Sequence, residues 1–492
     1  MRLTDSDAGF LYTESASGPM QISSIYVLDG EAPFDRIYRH FESRIPLVPR
    51  YRQRLALVPF NLANPEWVDD PEFDLRNHVK HHTLERSMSL EEAVDVAMEL
   101  NAQILDRSRP LWLTYVIEGV PGKTLLLQLV HHAMIDGVSG VELTTVLYDF
   151  DPDAQNPPPP NEPWQPDPLP GPVALMNEAA RDNLEKLRNY NPLRLLSGGK
   201  AQRQLLSRAA RVAADFFARP AITAPWNATP VGPKRKLRWS KMNLLEVREI
   251  RRGLGGTIND LVLTVVTEAV ARYLEEHNES VKQRHLRIMC PVSVRREDEQ
   301  GALGNRVSAI FPRLPAWPMG AVERLQVVRE ETARIKTTEE AQALTLLTEA
   351  APPIPPVAMA PLMLVGTAFD PTALAARMPM PVLPSMGPRP PYFGFNFTCT
   401  NVPGVQVAQY MAGYELVETL GILMLTGTLG FGAAITSYNG HLYFNFVCDP
   451  RLVPDLERIR DGADAVFGEL LAAARASAEA GSAAAGSAAA AS

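Results

Sequence analysis

The residues best placed to do chemistry are His131 and His132, with Asp136 and Gly137 close behind, in the run HHAMIDG. A histidine with an unperturbed pKa of about 6.5 is largely neutral near pH 7 yet readily protonated. Such a group can take the proton of a hydroxyl as its oxygen attacks an activated acyl carbonyl. It can then return that proton to a leaving thiolate, so the reaction needs no covalent enzyme intermediate. Adjacent side chains leaving a strand point to opposite faces, so only one of the two histidines can face a cleft. The other must pack or orient the first. Gly137 permits a tight turn after the aspartate, and Ser139 is suited to cap a following helix. A second pair, His81-His82, has no such aspartate and glycine downstream and reads as structural or surface.

Other chemistries find less support. Cys290, Cys399 and Cys448 are sparse, odd in number and set among apolar residues, which fits buried thiols better than a disulfide or metal framework. The chain holds no Gly-x-Ser-x-Gly elbow, no zinc spacing and no phosphate-binding loop.

The elements that must position the histidines can be read from periodicity. Leu125–Val130 is a short apolar strand that delivers the chain into His131, and Ser139–Leu147 returns to helical spacing. Upstream, Gln21–Leu28 alternates as a strand does, and Leu90–Leu105 has the spacing of an amphipathic helix. The proline-rich run 157–172 can continue neither a helix nor an inner strand and reads as an extended linker. Helices are expected over 173–219, a segment where residues 171–220 carry nine Lys/Arg against four Asp/Glu. A second α/β unit begins near 236, with a helix over Asn259–Glu275 and strands at 286–293, 306–311, 395–402, 431–437 and 442–448. Residues 351–391 form a Pro- and Met-rich insertion that reads as a lid or irregular loop. The expected layout is a first lobe over 1–155, a linker and basic helical crossover over 156–235, a second lobe over 236–472 and a disordered Ala/Ser/Gly tail over 473–492. Two such units predict a two-lobed protein with its site in the cleft between them.

Composition is that of an ordinary globular protein. Of 492 residues, 46% are hydrophobic and 21% charged, and a net charge of −8 gives no reason to expect nucleic acid. The polar, acidic start predicts no signal peptide, and no apolar run reaches the ~20 residues of a spanning helix. The expected location is the cytoplasm, either in solution or peripherally at the inner membrane or lipid inclusions.

HHxxxDG is the signature of the coenzyme A-dependent acyltransferase superfamily, which includes the condensation domains of peptide synthetases. Within it the chain resembles the bacterial wax ester synthase/diacylglycerol acyltransferase family from about Leu3 to Asp455. Asp7, Phe10, Glu14 and Pro19-Met20 are similar to the family's opening pattern, although Gln21 stands where histidine is common. FDLRNHV at 73–79, Pro110-Leu111-Trp112, Asn259-Asp260, PVSVRRE followed by Gly304-Asn305, and Asn401-Val402-Pro403-Gly404 resemble later blocks.

The resemblance implies an α/β fold of two similar chloramphenicol-acetyltransferase-like lobes around a central cleft. It implies His132 as general base, His131 in support, and Asp136 as a structural residue paired with an arginine, for which Arg295 is the candidate. Asn259 and Asp260 either shape the site or cap the helix that follows. Pro110, Leu111 and Trp112 either pack or touch substrate. Asn401 to Gly404 is either a turn or a contact for pantetheine or acyl chain. Acyl-CoA enters as co-substrate, with no further cofactor, and the partner is diacylglycerol or a long-chain fatty alcohol. Two other readings stay open: a relative using another hydroxyl, an amine or a carrier-bound donor, and a catalytically silent binding module. The basic segment 173–219 is either a set of packing helices or a surface for anionic lipid.

Overall fold

The structure is a computed structural model that describes residues 1–134, 144–189, 207, 210, 211, 214, 218–293, 307–338, 356, 357 and 392–490. The first part of the chain runs through α1 (Asp5–Thr13), β1 (Gln21–Asp29), α2 (Phe34–Arg44), β2 (Gln53–Ala56), β3 (Glu66–Asp69) and β4 (Val79–Thr83). It continues with α3 (Leu90–Asn101), β5 (Trp112–Val120), β6 (Lys123–His131) and α4 (Pro172–Asn189). The second part holds β7 (Lys236–Asn243), α5 (Leu244–Leu254), α6 (Ile258–Glu276), β8 (His285–Ser293), β9 (Val307–Ile310), β10 (Arg313–Pro315) and α7 (Ala321–Thr338). After it come β11 (Phe397–Val402), β12 (Tyr410–Met411), β13 (Tyr414–Ile422), β14 (Phe431–Tyr438), β15 (His441–Cys448) and α8 (Leu456–Ala490).

Two large mixed sheets result, in orders β12-β13-β1-β6-β5-β4 and β10-β8-β11-β14-β15-β7, with β9 beside β8. Each has its own apolar core. This is the two-lobed α/β arrangement expected from sequence. Its unexpected feature is an exchange: β12 and β13 come from the second half of the chain but complete the first sheet, with β13 antiparallel to β1. The chain then returns to the second sheet through β14.

Local chemistry explains the elements that carry the site. Ser89 and Glu92 close a capping box at the start of α3, whose Ala93, Val94, Ala97 and Met98 form a buried stripe at helical spacing. Thr257 and Asp260 make the same box for α6, and nearly every residue from Asp260 to Leu274 is buried, so this helix is the centre of the second core. Among the described residues no single helix is long and apolar enough to cross a membrane.

Residues 157–170, expected as a linker, have no regular structure. The run lies against the first lobe, with Trp164 under the Arg52 guanidinium at 4.5 Å and the Asp167 N–H on Asp69 Oδ2 at 3.1 Å. The end of the chain departs from expectation. Instead of a disordered tail from 473, α8 runs to Ala490. Ala474 is buried against Gly253, and Arg475 pairs with Glu249 at 2.9 Å. Alanine is the strongest helix former, so a composition that reads as low complexity extends a helix already anchored by Leu470 and Leu471. The expected helix at 139–147 is described only from Thr144, where it is helical to Leu147. Most of 351–391 lies outside the described residues, as do most of 190–217.

Candidate active site

β1 and β6 pair along their whole length, with Gln21 opposite His131, Ile22 opposite Val130, Ser24 opposite Gln128 and Tyr26 opposite Leu126. Opposed residues share a face. One face therefore carries Gln21, Ser23, Ile25 and His131, and the other Ile22, Ser24, Tyr26, Gln128 and Val130. The first packs on α3, where Gln21 Nε2 donates to the Asn101 carbonyl at 2.6 Å. The second turns toward the other lobe. Ser24 lies opposite Gly421 of β13. A Cβ on Gly421 would sit 3.2 Å from Thr436 Cγ2 of β14 and 3.7 Å from Asn445 Nδ2 of β15, so glycine there lets the two sheets approach.

His131 is 1% exposed, and its surroundings fix it. The Ala133 N–H donates to Nδ1 at 3.0 Å, which leaves the ring proton on Nε2. Nε2 faces Glu14 Oε1 at 3.5 Å. Glu14 also accepts the Met20 N–H at 3.1 Å and the Arg107 guanidinium at 2.9 Å. Burial pushes the Glu14 carboxyl up, but His131, the Met20 N–H and Arg107 outweigh it and bring the group down to about 2. This carboxylate stays charged through the physiological range.

His132 is held differently. Its N–H donates to the Met20 carbonyl at 2.9 Å, which extends the β1–β6 ladder by one bond. Alternation sends its side chain toward the face of Val130 rather than that of His131. The imidazole stacks on Phe10 with centroids 3.8 Å apart and planes 11° from parallel. Phe10 and Glu14 stand one helical turn apart at the end of α1, so a single short helix touches both histidines.

The remaining candidates divide into groups. Pro110, Leu111 and Trp112 are buried. The Leu111 carbonyl accepts the His131 N–H at 2.9 Å. The Trp112 indole donates to the Tyr51 carbonyl at 2.8 Å and stacks between His78 and Tyr51. Asp260 caps α6 and also accepts the Thr332 hydroxyl at 2.7 Å. Asn259 and Asn401, 142 residues apart, meet directly, with Asn401 Nδ2 donating to Asn259 Oδ1 at 2.5 Å. Asp136, Gly137 and Arg295 lie outside the described residues. His81 is exposed and bridges Glu118 at 2.9 Å. All three cysteines are buried and unbridged, and burial pushes the Cys399 thiol up to about 12, which suits packing rather than nucleophilic attack. Among the described residues no cluster of His, Cys, Asp and Glu could hold a metal ion.

This geometry sits within two matches to known families. The wax ester synthase/diacylglycerol acyltransferase catalytic domain matches residues 3–262, and the C-terminal domain of the same enzymes matches 303–471. The chain belongs to the wax ester synthase/diacylglycerol acyltransferase family. A family relative, named probable diacylglycerol O-acyltransferase tgs1 in Mycobacterium tuberculosis, is 28% identical over 480 residues, covering 96% of each chain. The solved wax ester synthase/diacylglycerol acyltransferase of Marinobacter aquaeolei superposes with a TM-score of 0.66 at 22% identity, covering 96% of this chain and 99% of that one. The first condensation domain of the calcium-dependent antibiotic synthetase gives 0.55 at 14% identity, covering 96% of each. At these identities the two structures speak for the fold, the two-lobed architecture shared by this family and condensation domains.

Family membership makes the protein an acyltransferase, and it directs attention to groups that sequence reasoning left without roles. Glu14 and Phe10 had been noted only as part of an opening pattern, and Arg107 and Gln128 not at all. Gln128 carries a visible signal, a lone amide in the apolar run LLLQLV. Arg107 carries none, because its bond to Glu14 spans 93 residues.

Proposed function

We propose that this family member is an acyl-CoA:alcohol O-acyltransferase that esterifies diacylglycerol, a long-chain fatty alcohol or both, making triacylglycerol or wax ester. His132 is the general base. The alcohol gives its proton to His132 as its oxygen attacks the thioester carbonyl; the carbon–sulfur bond then breaks, and the imidazolium returns the proton to the thiolate of coenzyme A. The observation that carries this assignment is the division between the two histidines. His131 has its Nδ1 lone pair engaged by Ala133 and its other nitrogen turned to a Glu14 that is charged near neutral pH, whereas the His132 imidazole is stacked on Phe10. His131 is then a positioning residue, and Asp136 with Arg295 fixes the loop between the histidines and the glycine. Asn259 with Asn401 shapes the cleft from the second lobe, and Pro110, Leu111 and Trp112 back the histidine strand. The preference for diacylglycerol draws support from the name of the mycobacterial relative.

A lipid alcohol has to be collected from an interface. On α4, Val173, Leu184 and Leu187 are 70%, 68% and 64% exposed. At 3.6 residues per turn they fall within ~60° of one another, with Arg181 and Arg188 beside them. This face suits peripheral contact with an anionic lipid surface. Flotation with anionic vesicles should be lost in high salt, and binding that survives a high-salt wash would remove the electrostatic part of the reading.

The central test is release of coenzyme A from palmitoyl-CoA by purified protein, with 1-hexadecanol and dioleoylglycerol offered separately beside a His132→Ala control. Alcohol-dependent release that disappears in the variant is the expected result. Release with neither alcohol would defeat the acceptor assignment, and full activity in the variant would defeat the base.

A further inference from the structure

We infer that the sheet face carrying His132 holds a recognition point for a carbonyl oxygen of the acceptor lipid, made by the Gln128 amide and the Tyr148 hydroxyl, which favours an ester-bearing alcohol such as diacylglycerol over a plain long-chain alcohol. The inference rests on the proposed function above and specifies its acceptor.

Gln128 breaks an otherwise apolar stretch of β6 and is only 7% exposed, yet its Nε2 has no hydrogen-bond partner. Tyr148 is 2% exposed, and its hydroxyl is likewise unpartnered. The two lie on the same side of the first sheet. Gln128 is opposite Ser24, and Tyr26, two residues along β1 and therefore on the same face, has its ring 5.3 Å from that of Tyr148. Gln128 is also two alternations before His132, ~13 Å along the strand, the scale of one acylglycerol headgroup with the start of its chains.

Both orphaned groups are donors, and a buried donor without an acceptor is costly. An alkyl chain laid over this face leaves both unsatisfied, while a carbonyl oxygen satisfies them. A fatty alcohol has no carbonyl; a diacylglycerol has two ester carbonyls beside its free hydroxyl. A site with hydrogen-bonding groups for an oxygen discriminates against analogues that lack it. The pantetheine arm of coenzyme A also carries carbonyls, so the same chemistry could serve the donor, and the measurement has to separate the two.

The experiment measures kcat/KM on the full chain for dioleoylglycerol and for 1-hexadecanol, and KM for palmitoyl-CoA, in the wild type, Gln128→Met and Tyr148→Phe. Circular dichroism confirms that the variants fold. The expected result is a fall of about tenfold in the dioleoylglycerol-to-hexadecanol ratio for Gln128→Met, with a smaller fall in the same direction for Tyr148→Phe. An unchanged ratio in folded variants would overturn the proposal and leave the groups to a buried water. An equal fall on both acceptors with a raised KM for palmitoyl-CoA would overturn it in favour of the donor arm. A wild type that transfers to neither alcohol would instead remove the functional reading on which the proposal depends.

Discussion

His131 and His132 leave one strand as neighbours, and the surroundings of the two rings differ in kind. His131 meets a charged carboxylate on one nitrogen and a backbone N–H on the other, inside the core that α3 closes. His132 is stacked on a phenylalanine. Buried polar groups without partners lie on both sides of the sheet. On the side of His131 they include Gln21 Oε1, Asn101 Oδ1 and the Ser23 hydroxyl, with Gln21 and Asn101 lining a small pocket bordered by Pro19, Ala102, Arg235 and Leu425. On the side of His132 they include the donors of Gln128 and Tyr148 and, where this face meets the second sheet, the acceptor Asn445 Oδ1. One ring is thus met on both nitrogens, and the other is held by stacking.

The largest effects should come from exchanging the two rings for alanine. His132→Ala should lower kcat by at least about a hundredfold, the contribution of a general base, while the melting temperature stays near that of the wild type. His131→Ala should lower activity too, but with a clear loss of thermal stability, since it leaves Glu14 buried without its imidazole partner. Rates measured beside melting curves test this. Equal stability losses in both variants would break the comparison.

Glu14→Gln addresses the rigid side alone. The amide carries no charge and offers a single accepting oxygen, where the carboxylate accepts from Met20 on Oε1 and from Arg107 on Oε2, so stability should fall by about 2 kcal/mol, as for a hydrogen bond to a charged group, and kcat by roughly tenfold. The sign with pH follows from the depressed carboxyl. Its stabilisation is complete above the unfolded value of 4.5 and disappears as pH falls toward about 2. Urea midpoints of wild type and variant should therefore differ most near neutrality and converge in acid. A constant difference across that window would show that Glu14 acts through shape and not charge.

Sequence reading reached what is local. HHxxxDG, the alternation of β1 and the apolar strand before His131 are all contained within short windows, so the family and most strands could be read from them. The proline run near 160 was legible as a linker because proline excludes regular structure. The entry of β12 and β13 into the first sheet was not legible, because an exchanged strand has the same alternation wherever it pairs. The Glu14–Arg107–His131 contact joins three distant segments and leaves no periodic trace. The C-terminal helix was misread because an alanine-rich composition is shared by disordered tails and by helices, and only the contact of Ala474 with Gly253 tells them apart.

The smallest expected effect bears on how the His132 side of the comparison is held. Phe10 lies over His132 at stacking distance, and aromatic pairs are worth about 0.5–1.5 kcal/mol beyond their buried area. Phe10→Leu keeps an apolar neighbour but removes the flat surface that restrains the imidazole. The rate should fall about threefold to tenfold, with KM for palmitoyl-CoA little changed, because the base samples more orientations while the donor site is untouched. Phe10→Tyr preserves the ring and should restore most of the rate. If leucine and tyrosine behave alike, stacking does not orient His132, and its orientation has to come from the backbone bond to Met20. If the leucine variant instead loses stability as Glu14→Gln does, then α1 serves both histidines only as a packing element, and the division between a fixed ring and a reacting ring would rest on the sheet alone.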